Sequence, residues 1–265
     1  MLLGWFSALL VGLSLGLCGA GGSILAVPIL VYFMGIAPVD ATVDSLMIVG
    51  ITASFGAWHD YKHGHIQIPI AIQFIIPSLL TIYAVRMWLI PNIPDVLYQT
   101  PALIIQRDSI IMLIFSLIML MAARAMLHPK AIASSTSSSS PPYGRIAMQG
   151  VLLGTLIGLV GAGGGFIIVP ALVGLLGLSM AQAVGTSLLI ISVNTLIGFV
   201  IGVQSGSHID MPIIIGFTVL ALLGSWFGKR IAAHIHETTL KKTFAFTIYI
   251  IACFILLKNV WSMVL

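Results

Sequence analysis

Long apolar segments separated by short polar loops extend along the whole 265-residue chain. Segments of this length are typical of membrane helices, whereas a membrane β-barrel would show short stretches of alternating polarity. The pattern therefore predicts an all-α polytopic membrane protein. Its predicted segments are Leu2–Gly35, Val43–Trp58, Ile68–Ile90, Ser109–Leu127, Ile146–Leu178, Ala183–Val203, Met211–Ile231 and Thr243–Val264.

The first and fifth segments are interrupted by the same glycine-rich motif. Residues 16–30 and 158–172 align without a gap at an offset of 142, and 9 of the 15 aligned residues are identical. Consecutive glycines break a helix and expose backbone N–H and C=O groups, which persist at membrane depth only where protein or a wet cavity satisfies them. Each of these two segments is therefore predicted to consist of two half-helices.

The repeat divides the chain into two homologous halves of four segments each. We predict a first transmembrane repeat at 1–130, a Ser/Pro-rich linker at 131–145 and a second repeat at 146–265. If the broken segments are re-entrant, the two halves are inverted, and the 11 Lys and Arg residues divide 8 to 3 between the two sides of the membrane. If these segments cross the membrane fully, the repeats are parallel (4+4), and the division is 6 to 5. Because cytoplasmic loops collect basic residues, inverted repeats with a cytoplasmic linker are favoured.

Composition excludes a soluble domain. Hydrophobic residues make up 59% of the chain and charged residues 7%, whereas soluble domains carry about 25% charged residues. The net charge of +4 comes from bases that stand mostly at segment ends, without the aromatic interleaving of RNA-binding proteins. The expected partners are therefore the lipid bilayer and a small anionic substrate, with no nucleic acid; the oligomeric state is left open.

The glycine motifs are the predicted binding site for that anion. Half-helix N-termini present N–H groups and the positive end of a dipole, which attract anions. The predicted substrate-binding residues are Gly19, Ala20, Gly21, Gly22, Ser23, Ser45, Gly161, Ala162, Gly163, Gly164, Gly165, Thr186, Ser187 and Asn194. Two alternatives stay open: Thr186 and Ser187 could cap a helix, and Asn194 could join two helices.

A second set of glycines has the spacing of a helix-packing surface. Gly12 and Gly16 in the first half, and Gly154 and Gly158 in the second, are each four residues apart. Small residues at this spacing let two helices approach closely. We predict packing, and not substrate binding, for these four.

Four titratable residues are candidates for proton coupling: Asp44, His65, His208 and Asp210. An intramembrane carboxylate is a functional candidate by default, although Asp44 could equally cap the start of its helix. His65 and His208 hold equivalent positions in the two halves, as suits a proton relay.

Other polar residues are interpreted as interfacial. His59, His63 and His65 are close in sequence, but without cysteines or an H-E-x-x-H arrangement they predict neither a metal site nor a cofactor. Arg86 and Lys229 are equivalent in the two halves, and both are expected to anchor segment ends at the membrane interface. Attraction of anions is the alternative role for this pair.

The doubled motif Gly-Leu-x-Gly-Ala-Gly-Gly followed by Val-Pro-x-Leu, with residues 185–188 and 207–210 downstream, resembles the TauE/SafE family of membrane permeases. The resemblance implies a multi-pass carrier of the bacterial inner membrane, associated with export of sulfite or organosulfonates. The chain departs from the family pattern at Val43 and Asp44, which stand where Gly-Thr is expected, and at Gln67, which replaces an acidic residue.

A secondary transporter for a small anion, a sulfur oxyanion or organosulfonate such as sulfite, is therefore the predicted function, acting by alternating access. The alternative is a non-transporting integral membrane subunit of a larger complex. No catalytic residues are predicted, because paired intramembrane carboxylates, Gly-x-Ser-x-Gly and H-E-x-x-H are absent from the sequence, and so the chain is not expected to be an enzyme.

Overall fold

The computed structural model describes residues 2–18, 23–94, 96–100, 103–127, 143–161, 168–169, 172–173, 176–232 and 237–264. The helices in these ranges are α1 (Leu2–Cys18), α2 (Ala26–Met34), α3 (Pro38–Lys62), α4 (Ile68–Ala84), α5 (Ile90–Asn92), α6 (Arg107–Leu127), α7 (Tyr143–Val160), α8 (Met180–Gln204), α9 (Met211–Ala232) and α10 (Glu237–Val264). A π-helical turn, Val85–Leu89, joins α4 to α5.

Apolar helices dominate the fold, as the sequence predicts. Within the described residues, four helical stretches are long and apolar enough to cross a membrane, namely Pro38–Lys62, Ile68–Asn92, Met180–Gln204 and Met211–Ile231. Shorter apolar helices cover Gly4–Leu17, Ser23–Met34, Ile146–Val160 and Ala245–Asn259. The protein is a multi-pass helical membrane protein.

One element is not predicted by the hydropathy pattern. Strands β1 (Val96–Thr100) and β2 (Leu103–Gln106) pair antiparallel in the loop before α6. The strands contain several β-branched or aromatic residues, which favour extended structure: Val96, Tyr98, Thr100, Ile104 and Ile105. Hydropathy does not reveal the hairpin, because the stretch is too short to span a membrane.

Helices α3 and α8 form the centre of the bundle. About 72% of the membrane window of α3 and 67% of that of α8 is buried, against 28% for the stretch containing α4 and 39% for α9. Gly50 of α3 packs on Leu196 of α8, and Val43 packs on Gly202. Residue numbers along α8 therefore fall as those along α3 rise, so the two helices are antiparallel.

The first broken segment turns back on itself. Gly4, near the start of α1, lies against Met34 at the end of α2, whose side chain is 2.8 Å from the position that a Cβ on Gly4 would occupy. Gly35 then ends α2 with a left-handed φ of 77°, and its N–H donates to the carbonyl oxygen of Leu30. The two half-helices thus form a hairpin, and α3 starts beside the beginning of α1.

The predicted packing glycines are confirmed. A Cβ on Gly12 or Gly16 of α1 would collide with the carbonyl oxygen of Ala221 or Ser225 on α9. A Cβ on Gly154 of α7 would collide with the carbonyl oxygen of Ser78 on α4, and one on Gly158 would meet the side chain of Val85, the first residue after α4. In both pairs the numbers rise together along the two helices, so α1 is parallel to α9 and α7 is parallel to α4.

Helices α6 and α10 complete the described bundle. The side-chain amide of Asn259, near the end of α10, donates to the carbonyl oxygen of Ser109, near the start of α6, at 2.6 Å. These two helices are therefore antiparallel. Residues 143–145, assigned to the linker from composition, belong to α7, and the rest of the predicted linker lies outside the described residues.

Candidate functional site

The second glycine motif contacts the start of α3, which belongs to the other half of the chain. The hydroxyl of Ser45 donates to the carbonyl oxygen of Gly161 at 3.0 Å and to that of Thr42 at 2.8 Å. Gly161 has a left-handed φ of 70°, and a Cβ on it would collide with the carbonyl oxygen of Thr42. Only glycine combines a left-handed backbone with so close an approach to Thr42, which explains why α7 ends at Val160.

Asp44 lies beside this contact and is fully buried. Among the residues that the structure describes, neither of its carboxylate oxygens has a hydrogen-bond partner. Because α3 begins at Pro38, Asp44 belongs to the second turn, and the interpretation of Asp44 as a helix cap is wrong. A buried carboxylate without a partner carries a large free-energy cost, so this position points to a function.

Two further carboxylates lie at this end of the bundle, and both have backbone partners. Oδ1 of Asp40 accepts the amide N–H of His208 at 2.9 Å. Oδ1 of Asp210 accepts the amide N–H of Ile213 at 3.2 Å, in the first turn of α9. Asp44 therefore differs from these two carboxylates, because no donor for it lies among the described residues.

The residues equivalent to Asp44 and Ser45, which are Thr186 and Ser187, are also fully buried. Neither caps α8, because Ser179 forms a capping box with Gln182 at that helix start. Oγ1 of Thr186 accepts the amide N–H of Gln67 at 3.0 Å, and Ser187 donates to the carbonyl oxygen of Val184 at 2.8 Å. The capping alternative for this pair is thus wrong.

Asn194 joins two helices. Its Nδ2 donates to the hydroxyl oxygen of Ser78 on α4 at 2.7 Å, while its Oδ1 has no partner among the described residues. One side of the amide is therefore structural, and the other side is a buried acceptor. Ser23 is fully buried in the short 3₁₀ turn that leads into α2.

The remaining predicted site residues of the glycine motifs are Gly19, Ala20, Gly21, Gly22, Ala162, Gly163, Gly164 and Gly165, and they lie outside the described residues. Their assignment to a binding site stays a prediction.

The candidate relay histidines are not brought together. His208 lies beside Asp40, at the start of α3. The backbone N–H of His65 donates to the carbonyl oxygen of Asp60, near the opposite end of α3, and the His65 backbone lies beside Gly185. The rings of His63 and His65 are 6.1 Å apart. A direct relay between His65 and His208 would have to cross most of the bundle.

For Arg86 the sequence favours an interfacial anchor, with attraction of anions as the alternative role. Its side chain is 1% exposed, so the expectation that it anchors a helix end at the interface is wrong. It lies in the π-helical turn, a feature often found at functional sites. The available signal was that the apolar pattern continues past Arg86 to Ile90, which places the charge inside the segment.

Interrupted apolar helices with buried polar residues beside the interruption are typical of membrane transporters. The chain belongs to the sulfite exporter TauE/SafE family, whose model matches residues 5–255. It is thus a member of a membrane transporter family, which favours a transporter over an enzyme.

Curated bacterial relatives agree with this class. The chain is 28% identical over 266 residues to a probable membrane transporter protein of Xylella fastidiosa strain Temecula1, covering 96% of this chain and 94% of that one. Identity to a probable membrane transporter protein of Haemophilus influenzae is 26%, with coverages of 94% and 95%. For the probable membrane transporter protein YdhB of Bacillus subtilis it is 26%, with coverages of 90% and 93%. No solved structure matches the chain.

Proposed function

We propose that this protein is a secondary transporter of the bacterial inner membrane for a small anion, a sulfur oxyanion or organosulfonate such as sulfite. The observation that carries the proposal is the contact of Gly161 with Thr42 and Ser45. It packs the broken segment of one half onto the polar start of a spanning helix in the other half. Movement of one half against the other would open and close this contact, as alternating access requires.

The helix directions support an inverted repeat. The bounds of α3 and α8 are equivalent at an offset of 142, and the two helices are antiparallel, as are α6 and α10. In addition, α1 packs on α9 as α7 packs on α4. Parallel repeats would orient equivalent helices in the same direction.

The same directions support re-entrant broken segments. His208, just before α9, bonds to Asp40 at the start of α3, and Lys229 near the end of α9 bonds to Gly56 in the last third of α3. Helix α9 is thus parallel to α3, and α1 is parallel to α9. Since α1 and α3 point the same way, the chain returns between them through α2, as the Gly4–Met34 contact also indicates.

This topology predicts the side on which the linker lies. A single cysteine in place of Ser137, with both native cysteines replaced, should stay unlabelled by a membrane-impermeant maleimide in intact cells and react after permeabilisation. Basic residues concentrate on the linker side, which the positive-inside rule makes cytoplasmic. Strong labelling in intact cells would contradict the orientation.

Transport itself is tested in liposomes that contain only the purified protein. We expect uptake of radiolabelled sulfite or of a small sulfonate that exceeds uptake by protein-free liposomes, and competition among anions will define the cargo. Imposed pH gradients test coupling through Asp44, His65, His208 and Asp210. Transport by the protein alone would exclude the non-transporting subunit, whereas no transport of any anion in the panel would contradict the proposed function.

A further inference from the structure

We infer that Arg86 binds the transported oxyanion, and that Gly202, which carries no carboxylate, leaves the charge of Arg86 to be neutralised by that anion. This inference rests on the proposed function, because it assigns a residue and a ligand geometry to the same site. It comes from a comparison of the two halves, in which equivalent cations have different surroundings.

Lys229, the equivalent of Arg86 in the second half, has a counter-ion. Its Nζ lies 3.5 Å from Oδ1 of Asp60 and 3.3 Å from the carbonyl oxygen of Gly56. Both members of the pair are partly exposed, at 23% and 18%. The charge of Lys229 is thus neutralised within the protein.

Arg86 has no such neutralisation. Its Nη2 donates to Oγ1 of Thr42 at 3.3 Å, its Nε has no partner, and no carboxylate pairs with it among the described residues. A fully buried guanidinium without a counter-charge is costly, so a bound anion would relieve the cost. The unpaired Nε lies on the edge of the guanidinium that binds two oxygens of an oxyanion side by side.

The missing counter-ion can be traced to one position. Helices α3 and α8 share an offset of 142 from their first to their last residue, so the equivalent of Asp60 is Gly202. A Cβ on Gly202 would lie 3.1 Å from Nη1 of Arg86. The half that faces Lys229 therefore supplies a carboxylate, Asp60, and the half that faces Arg86 has a glycine in the same place.

Arg86 is also connected to the glycine motif. Thr42 uses its hydroxyl proton on the carbonyl oxygen of Val39 at 2.6 Å and so accepts from Arg86. The carbonyl oxygen of the same Thr42 lies against Gly161. An anion on Arg86 would thus sit at the contact between the two halves, where its binding can respond to their movement.

The ligand class follows from this geometry. A guanidinium fork favours ions that present two oxygens, such as sulfite or a sulfonate, over a spherical halide. A lysine at position 86 would keep the charge and lose the fork.

Binding of sodium sulfite, sodium methanesulfonate and sodium chloride to the detergent-purified protein tests the inference by calorimetry. We expect Arg86→Gln to abolish oxyanion binding and Arg86→Lys to weaken it about tenfold to a hundredfold, the range expected for hydrogen bonds to charged groups. Chloride should bind weakly to wild type and be little affected by Arg86→Lys. The control Arg124→Gln, at an exposed arginine of α6, should bind as wild type does.

A second pair of variants tests the absence of a carboxylate at position 202 without substituting Arg86. Gly202→Asp should supply the missing carboxylate and abolish sulfite binding, whereas Gly202→Ala adds the same Cβ without charge and should retain more of it. Near-wild-type binding by Arg86→Lys or Gly202→Asp, or no oxyanion binding by wild type, would overturn the inference.

Transport in liposomes separates this result from the proposed function. Oxyanion binding that depends on Arg86, without transport of any anion, would leave the site intact and contradict the proposed function. Normal sulfite transport by both Arg86 variants would contradict the role of Arg86 and leave the proposed function intact.

Discussion

Replacing Gly161 by alanine is expected to abolish transport and to destabilise the protein well beyond the effect of an ordinary surface change. The left-handed backbone at this residue costs a residue with a side chain about 1–2 kcal/mol. The added Cβ would also collide with the carbonyl oxygen of Thr42, and overpacking of this kind costs roughly 1–3 kcal/mol. The collision should push the glycine motif away from α3.

Gly177 provides the matched control. It has a similar φ of 65°, but a Cβ on it would meet no atom within 4 Å. Gly177→Ala should therefore show the backbone cost alone, with transport retained. Thermal unfolding of both variants in detergent and sulfite uptake in liposomes provide the comparison. Equal stability and equal transport in the two variants would show that contact with Thr42 has no role in the mechanism.

Much of the fold is readable from the sequence because a membrane imposes strong constraints. Segment positions follow from hydropathy, and the roles of Gly12, Gly16, Gly154 and Gly158 follow from four-residue spacing, since a close helix approach requires small residues. The repeat offset also links Ser45 to Ser187 and Arg86 to Lys229 before any coordinates are known. The β1–β2 hairpin, by contrast, was missed because its residues lie below the length that hydropathy detects.

The surroundings of individual polar residues were not readable in this way. Arg86 stands four residues before the end of its predicted segment, where either an interface or the interior is possible. Its contacts with Thr42 of α3 and Gly202 of α8 place it in the interior. Thr186 seemed a plausible cap because the predicted start of its segment was three residues late, which hid the capping role of Ser179. Such errors arise because helix ends are set by local hydrogen bonds that periodicity does not report.

Sequence equivalence also conceals differences between the halves that the structure makes visible. Asp44 is equivalent to Thr186, yet Thr186 accepts a backbone N–H and Asp44 accepts none within the described part of the chain. Gly202 is equivalent to Asp60, yet only Asp60 pairs with a cation. Asp44 and Gly202 both lie at the end of the bundle where α3 begins. The polar residues that differ between the two halves are therefore next to Gly161.

Replacing Asp44 by asparagine is expected to abolish transport that is driven by a pH gradient, while the stability of the protein stays the same or rises. The carboxylate is fully buried, and in the part of the chain that the structure describes it has no hydrogen-bond donor. An unsatisfied buried polar group costs about 1–3 kcal/mol, and a charged one costs more, so a neutral amide of the same shape should not be worse for folding. A group retained at such a cost is expected to take up and release the coupled proton.

Asp40→Asn is the control, because asparagine keeps an Oδ1 that can accept the N–H of His208. It lies one turn before Asp44 on the same helix and should transport as wild type does. Uptake of sulfite is measured under a pH gradient and, separately, under a membrane potential, alongside thermal unfolding of each variant. If Asp44 is only structural, Asp44→Asn will unfold at a lower temperature and keep the wild-type response to the pH gradient. Loss of that response in a fully stable Asp44→Asn variant, with the Asp40→Asn variant unaffected, is the result that a coupling carboxylate requires.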